Sequence, residues 1–375
     1  MSKRPKIAIL ASFPSWILFS EVPNPGTHYA VWLVSLFHIF SQENLPYEIH
    51  WISLHKGIKH TILKKSHNQY FHLLPRRSKL LSQLTLYTED KWRIAKEIHS
   101  IQPELIHAWG TEDCYGYAVR NSKKPSMLSM QGVLTAYSIR AKMPNFQIRQ
   151  AWFEKQTLSK FNIITTESQW AADCCKEIAP DSDIRLWEYA ANEDFFTVER
   201  NLSDEPSCLI AGTNSPVKNV SCAISAFSRP ELKHVKLYMA GIFPEEYHEL
   251  PPNIIPLGRV SRDKMRELLS STWCLVHPSL ADSCPNIVKE ARVMGVPVIV
   301  TTECGAKQYV IDGKSGYIIP CHNDMELAHS VLNIVASKEI SLNMGNYDRS
   351  RCLNELSSTT MENRIFELYK ELLNR

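Results

Sequence analysis

Two successive series of short apolar runs, each alternating with helical patterns, constrain this chain more than any other feature. The first series comprises KIAILAS (6–12), YEIHWISL (47–54), ELIHAWG (104–110), SMLSMQG (126–132), NIITTES (162–168) and DIRLWEY (183–189). A long, mostly buried helix is expected over 27–42, with further helices over about 91–101, 146–160 and 168–178. After a polar segment, TVERNLSDEPS (197–207), a second series begins. It comprises CLIAGT (208–213), KLYMAG (236–241), NIIPLG (253–258), WCLVHPS (273–279), VPVIVT (296–301) and GYIIP (316–320), with a helix over 261–271. Strands that alternate with helices argue for parallel sheets with right-handed crossovers. Two such series in 375 residues predict two doubly wound α/β domains facing a cleft, each with its own core. The last segment, 359–375, places Ile365, Phe366, Leu368, Tyr369, Leu372 and Leu373 on one helical stripe. The expected division is 1–195, 196–355 and a C-terminal helix, 356–375, that packs back on the first domain.

The stretch Val276 to Pro320 reads strand, loop, helix, strand, loop, strand. An open parallel sheet binds its ligand at the carboxyl ends of its strands. A helix N-terminus there offers unpaired N–H groups and a partial positive charge, which suits a phosphate. Pro285 suits the first turn of the helix, and Asp282 or Ser283 is expected to cap it. Asn286 and Glu290, four apart, share a helix face. Glu290, about a turn inside, is placed to accept hydrogen bonds from the vicinal hydroxyls of a ribose. Read from spacing alone, Asp282 is equally a cap and Glu290 a solvated surface charge. Small-residue turns at Cys304-Gly305-Ala306 and at 312–316 offer backbone amides that cradle anions.

This block resembles the nucleotide-sugar-binding signature of the retaining glycosyltransferases of family 4. The likeness is strongest over 208–320 and weaker over 1–190. It implies a GT-B fold of two Rossmann-like domains, and transfer of a sugar from a UDP- or GDP-sugar to a hydroxyl acceptor with retention at the anomeric carbon. No obligatory cofactor and no metal site are expected. By the same resemblance, Lys218 holds the donor diphosphate, as a compact charge suited to phosphate. Asp282 holds sugar hydroxyls and Glu290 the ribose, and with Lys218 these are the expected catalytic residues. The expected donor-binding set adds Gly26 and Thr27 in a glycine loop of the first domain, and Gly212. It also includes Arg259 and Val260 beside the base, and Ser283, Cys284, Asn286 and Ile287 at the helix start. Departures from the family pattern are Asp282 for a glutamate, Thr213 for an arginine, Gln131 for a histidine, Cys304 for a glycine and Gln308 for a glutamate. They keep a GT-B sugar-nucleotide epimerase and a non-catalytic nucleotide-sugar binder open beside the transferase. His107 reads equally as a cleft residue or a buried structural histidine.

Apolar content of 44% and charged content of 22% are ordinary for a globular protein. A net charge of +3 gives no argument for a nucleic-acid partner. No apolar run reaches the roughly 18 residues of a membrane span, and the opening run IAILA reads as a strand rather than a signal peptide. The ten scattered cysteines form no CxxC pair and are expected to be reduced thiols. A cytoplasmic location follows as an expectation, with synthesis of cell-surface polysaccharide or glycolipid as the setting. From His55 to Thr88 there are seven cations and no acid, interleaved with apolar residues. That segment is read either as a pair of loops and a short helix in solvent or as a peripheral contact with the anionic inner face of a membrane. Expected partners are therefore a nucleotide-sugar, a glycan or lipid-linked glycan acceptor, and anionic lipid.

Overall fold

The computed structural model describes residues 4–24 and 30–374. The first series forms strands β1 (Lys6–Leu10), β2 (Glu48–Lys56), β3 (Ile62–Ser66), β4 (Gln69–Arg76), β5 (Leu105–Trp109), β6 (Ser126–Ser129), β7 (Ile163–Thr166) and β8 (Asp183–Leu186). They make one sheet in the order β3-β4-β2-β1-β5-β6-β7-β8. Every neighbouring pair is parallel except β3–β4. The second series forms β9 (Ser207–Ala211), β10 (Lys236–Ala240), β11 (Ile254–Gly258), β12 (Cys274–His277), β13 (Val298–Thr301) and β14 (Gly316–Ile319). This sheet is wholly parallel, in the order β11-β10-β9-β12-β13-β14. In each sheet the chain starts centrally, builds to one side and then reverses. That reversal opens a crevice at the carboxyl edge beside the first strand.

The helices between and beyond these strands include α1 (Val31–Ile39), α2 (Lys79–Leu84), α3 (Leu134–Arg140), α4 (Asn145–Leu158), α5 (Arg262–Ser271), α6 (Asn286–Val293) and α7 (Ser358–Leu373). Each sheet is covered on both faces, giving two apolar clusters per half. Strands buried on both faces read as continuous apolar runs, which is why they were legible. One cluster of the first half is completed from the far end of the chain. Met361, Ile365, Leu368, Tyr369 and Leu372 of α7 pack with Phe40, Tyr47 and Leu105. The last helix thus packs against the core of the first half.

The segment 55–88 departs from the loop reading. Its centre is the β3–β4 hairpin at the sheet edge, followed by α2. Alternation in TILKKS and the apolar run in QYFHLLP carry that hairpin. The dense lysines mask the pattern because they occupy an exposed edge strand, where charge guards against edge-to-edge pairing. Three of the cations are paired within the chain: Arg76 in a buried bidentate pair with Asp113 (2.7 and 2.8 Å) that also reaches Asp90, Lys79 with Asp113 (3.8 Å), and Lys64 with Glu21.

Candidate active site

The carboxyl edges of the two sheets meet. Lys218 follows β9 and lies in the short 3-10 turn Pro216–Lys218. His277 ends β12, and the loop after it carries Asp282. These three side chains converge: Asp282 Oδ2 accepts from Lys218 Nζ and lies 2.8 Å from His277 Nε2. Burial alone would raise the Asp282 carboxyl, but the Lys218 ammonium and the His277 hydrogen bond outweigh it. They hold the acid well below the usual carboxylate range, so Asp282 is an anion throughout the neutral range. Burial lowers the His277 imidazole despite the nearby carboxylate.

The loop holding Asp282 is fixed by its neighbour after β13. Asp282 N donates to Glu303 O (3.2 Å), and Gly305 N donates to Asp282 O (2.7 Å). A Cβ on Gly305 would lie 1.8 Å from Ser283 O, so only glycine permits this approach. The family's paired glycines are thus reduced here to the one that the packing requires.

The expected cap is not formed. The residue preceding α6 is Pro285 with no side-chain cap, so the proline stands just before the helix and not in its first turn. Asp282 is drawn away by Lys218 and His277. The Ser283 side chain and amide are both taken by Tyr137 Oη, at 3.2 Å each. Asn286 and Ile287 open the first turn of α6 and are partly exposed, and Cys284 is buried. Glu290 lies one turn further in, half-buried. Burial pushes its carboxyl up to about 7, against the opposing charges of Arg262 and Lys289. Glu290 is therefore not a freely solvated surface acid. Gly212 follows β9, and Arg259 and Val260 follow β11, all at the same carboxyl edge; Arg259 is exposed. Gly26 and Thr27 lie outside the described residues.

The opposite wall comes from the first sheet, and several of its residues carry no sequence signal. Tyr137 of α3 reaches across to Ser283. Ser168 Oγ donates to Ser283 O (2.6 Å). Glu167, at the end of β7, forms a buried ion pair with Lys289 of α6 (2.5 Å). Arg140 and Trp170 both bond Glu303, at 2.6 and 3.1 Å. Gln308, where the family pattern has a glutamate, accepts from Gln169 N (2.8 Å). Glu112 follows β5: its Oε1 accepts from Gly132 N (2.9 Å), while Oε2 is buried with no hydrogen-bond partner among the described residues. Burial pushes this acid up to about 7. With its amide oxygen turned toward them, Gln131 accepts from the indole N–H of Trp109 (2.8 Å) and of Trp32, a neutral role that a protonated histidine would not fill. His107 is a core residue, bonded to Tyr369 Oη (2.8 Å) and Ser129 Oγ (2.6 Å), and burial pushes it down to about 3.

The family model for glycosyl transferases group 1 matches residues 192–351. That stretch, in the second half of the chain, is similar to the glycosyl transferases group 1. An uncharacterized glycosyltransferase of Methanocaldococcus jannaschii is 22% identical over 69% of this chain and 73% of its own length. The capsular polysaccharide biosynthesis glycosyltransferase CapM of Staphylococcus aureus is 25% identical over 32% of each chain, so the chain spans about a third of that relative. Among solved structures, sucrose-phosphate synthase from Thermosynechococcus elongatus superposes with a TM-score of 0.80 at 15% identity, covering 99% of this chain and 100% of that one. Anabaena HepE in complex with UDP and glucose gives 0.70 at 14% identity, covering 98% and 100%. These structures share the GT-B fold with this chain, and the α/β architecture with two facing sheets is theirs.

Proposed function

We propose that this chain transfers a sugar from a nucleotide-sugar to a hydroxyl acceptor with retention at the anomeric carbon. The observation that carries the reading is the convergence of Lys218, Asp282 and His277 in front of α6, with Glu290 one turn behind. In this scheme the ammonium of Lys218 and the first-turn amides of α6 receive the charge that develops on the leaving diphosphate. The Asp282 carboxylate accepts from sugar hydroxyls, and its negative charge favours an oxocarbenium-like sugar. Glu290 accepts from the ribose hydroxyls, and Arg259 and Val260 border the base. No protein nucleophile is required. The 1–195 half supplies the acceptor side and 196–355 the donor side.

The Ser283 amide is engaged by Tyr137, so donor phosphate binds through Lys218 and the amides of 286 and 287 unless the two halves part. UDP is the favoured donor base, since HepE, which shares the fold, was crystallised with UDP. The name of CapM, a capsular polysaccharide biosynthesis glycosyltransferase, supports a setting in the synthesis of a cell-surface polysaccharide or glycolipid. Thermal unfolding with UDP and with GDP tests the donor site: one of the two is expected to raise the transition temperature, and no shift with either would overturn it. NMR of the product from the stabilising donor then reads the anomeric configuration.

A further inference from the structure

Helix α2 is seated the wrong way round for a surface helix. Its one buried residue, Gln83, faces inward and donates to Gln150 Oε1 (2.9 Å) and to Phe146 O (3.2 Å). Its leucines face out: Leu80, Leu81 and Leu84, with Leu86 just beyond, are 49–64% exposed. An ordinary amphipathic helix buries its apolar stripe and wets its polar one. Phe146, whose carbonyl Gln83 holds, is exposed beside them and extends the patch onto α4. Single exposed leucines need no explanation, but four within seven residues plus an adjoining phenylalanine form a patch that does.

The charge around this patch has one sign. Arg77 and Lys79 flank α2 and are exposed, and Arg149 bonds Gln83 from α4. No acid occurs between 55 and 88; of the acids beyond it, Asp90 and Asp113 pair with Arg76 and Glu89 with Arg93, while Glu112 accepts from Gly132 N. The patch also borders the cleft, because Lys79 Nζ donates to the backbone oxygen of Glu112 (2.7 Å).

We infer that the α2 face docks on a lipid leaflet bearing anionic headgroups, with Leu80, Leu81, Leu84, Leu86 and Phe146 entering the acyl boundary and Arg77, Lys79 and Arg149 meeting the headgroups. Two copies of the chain packed through this face would set like charges against each other, whereas an anionic leaflet complements both the leucines and the cations. The inference deepens the reading of the first half as the acceptor side: an acceptor carried on lipid would reach the cleft along α2. It narrows the expectation for 55–88, because Arg76 and Lys64 are paired within the chain and the exposed leucines of α2 carry the contact.

The test is flotation of the full chain with vesicles of phosphatidylcholine alone or mixed with phosphatidylglycerol, in the absence of any nucleotide-sugar. The chain is expected to float with the mixed vesicles at low salt and to be released as salt rises, because screening shortens the reach of surface charge. Leu81→Gln with Leu84→Gln is expected to cut partitioning by about tenfold or more, from the apolar area lost. Glutamine has nearly the helix propensity of leucine, so the unfolding temperature should stay put. Met325→Gln, an exposed apolar residue of the second half, should leave flotation unchanged. Failure to float, flotation indifferent to the double substitution, or a dimer in solution that the double substitution dissociates would each overturn the inference. UDP binding read on the same samples is independent of it: its loss everywhere would sink the donor-site reading and leave the lipid result standing.

Discussion

Two lysines of this chain each pair with a carboxylate at the meeting of the two sheets, and they do opposite work. Lys289 is fully buried, bonded to Glu167 of the other half and to Tyr189 O (3.3 Å). Lys218 is paired with Asp282 but keeps about a quarter of its side chain in solvent. A buried pair sealed by its neighbours has lost its hydration, and neither member can leave without stranding the other charge. A pair open on one side can exchange one anion for another. The first is a pin between the halves, and in the proposed function the second is a ligand charge held ready. Sequence ranked these lysines in reverse: Lys289 drew no attention, because a lysine next to a signature glutamate looks like surface.

The sharpest way to break this contrast is Lys289→Ala. It strands the Glu167 carboxylate in a buried site, and a loss of about 3–5 kcal/mol is expected. Denaturant unfolding reads it, and a change under about 1 kcal/mol, the scale of an exposed pair, would show the pin to be dispensable. Next in size, Glu290→Ala is expected to weaken UDP by about 1.5–3 kcal/mol with little change in stability, the range for hydrogen bonds to a charged group. Calorimetric titration measures it, and unchanged affinity would remove Glu290 from the site.

Lys218→Ala should weaken UDP more than uridine, since the lost charge acts on phosphates and not on the base. Asp282 keeps His277, so the fold should hold. Equal loss for both ligands would place Lys218 with Lys289 as a structural charge.

The smallest effect concerns Glu112. Its carboxyl rises in the folded protein from an ordinary 4.5 to about 7. The folded state therefore binds more proton in that window, and stability falls as pH rises through it. Glu112→Gln carries no such titration, so the unfolding temperature of the variant should gain on the parent as pH climbs from about 4.5 to about 7. A constant difference across the window would mean that Glu112 is solvated.

The fold was legible because most strands are short runs apolar on both faces, and because turn glycines close many of those runs. What escaped was the β3–β4 hairpin, hidden by lysines on an edge strand. At the site, Asp282 and Glu290 could be named because they fall within one contiguous block around a single helix start, and Lys218 because it follows the first strand of the second series. Tyr137, Glu167 and Ser168 could not. Their role depends on how the two halves meet, and contacts between residues more than a hundred positions apart leave no local pattern. The capping expectation failed for a related reason: Asp282 had a distant lysine to satisfy, and a helix amide offers less than a charged ammonium.

The return of α7 also sets an order of events during synthesis. Tyr369 stacks on Phe40 at 6.2 Å between ring centroids and bonds His107, which lies in the middle of the first sheet. A nascent chain that has released only its first half leaves Phe40, Tyr47 and the buried His107 without the residues that cover them. The first sheet is therefore partly bare while residues 192–351 are translated. α7 is made after the strands of both sheets, so the helix that completes the first core follows the second half out of the ribosome.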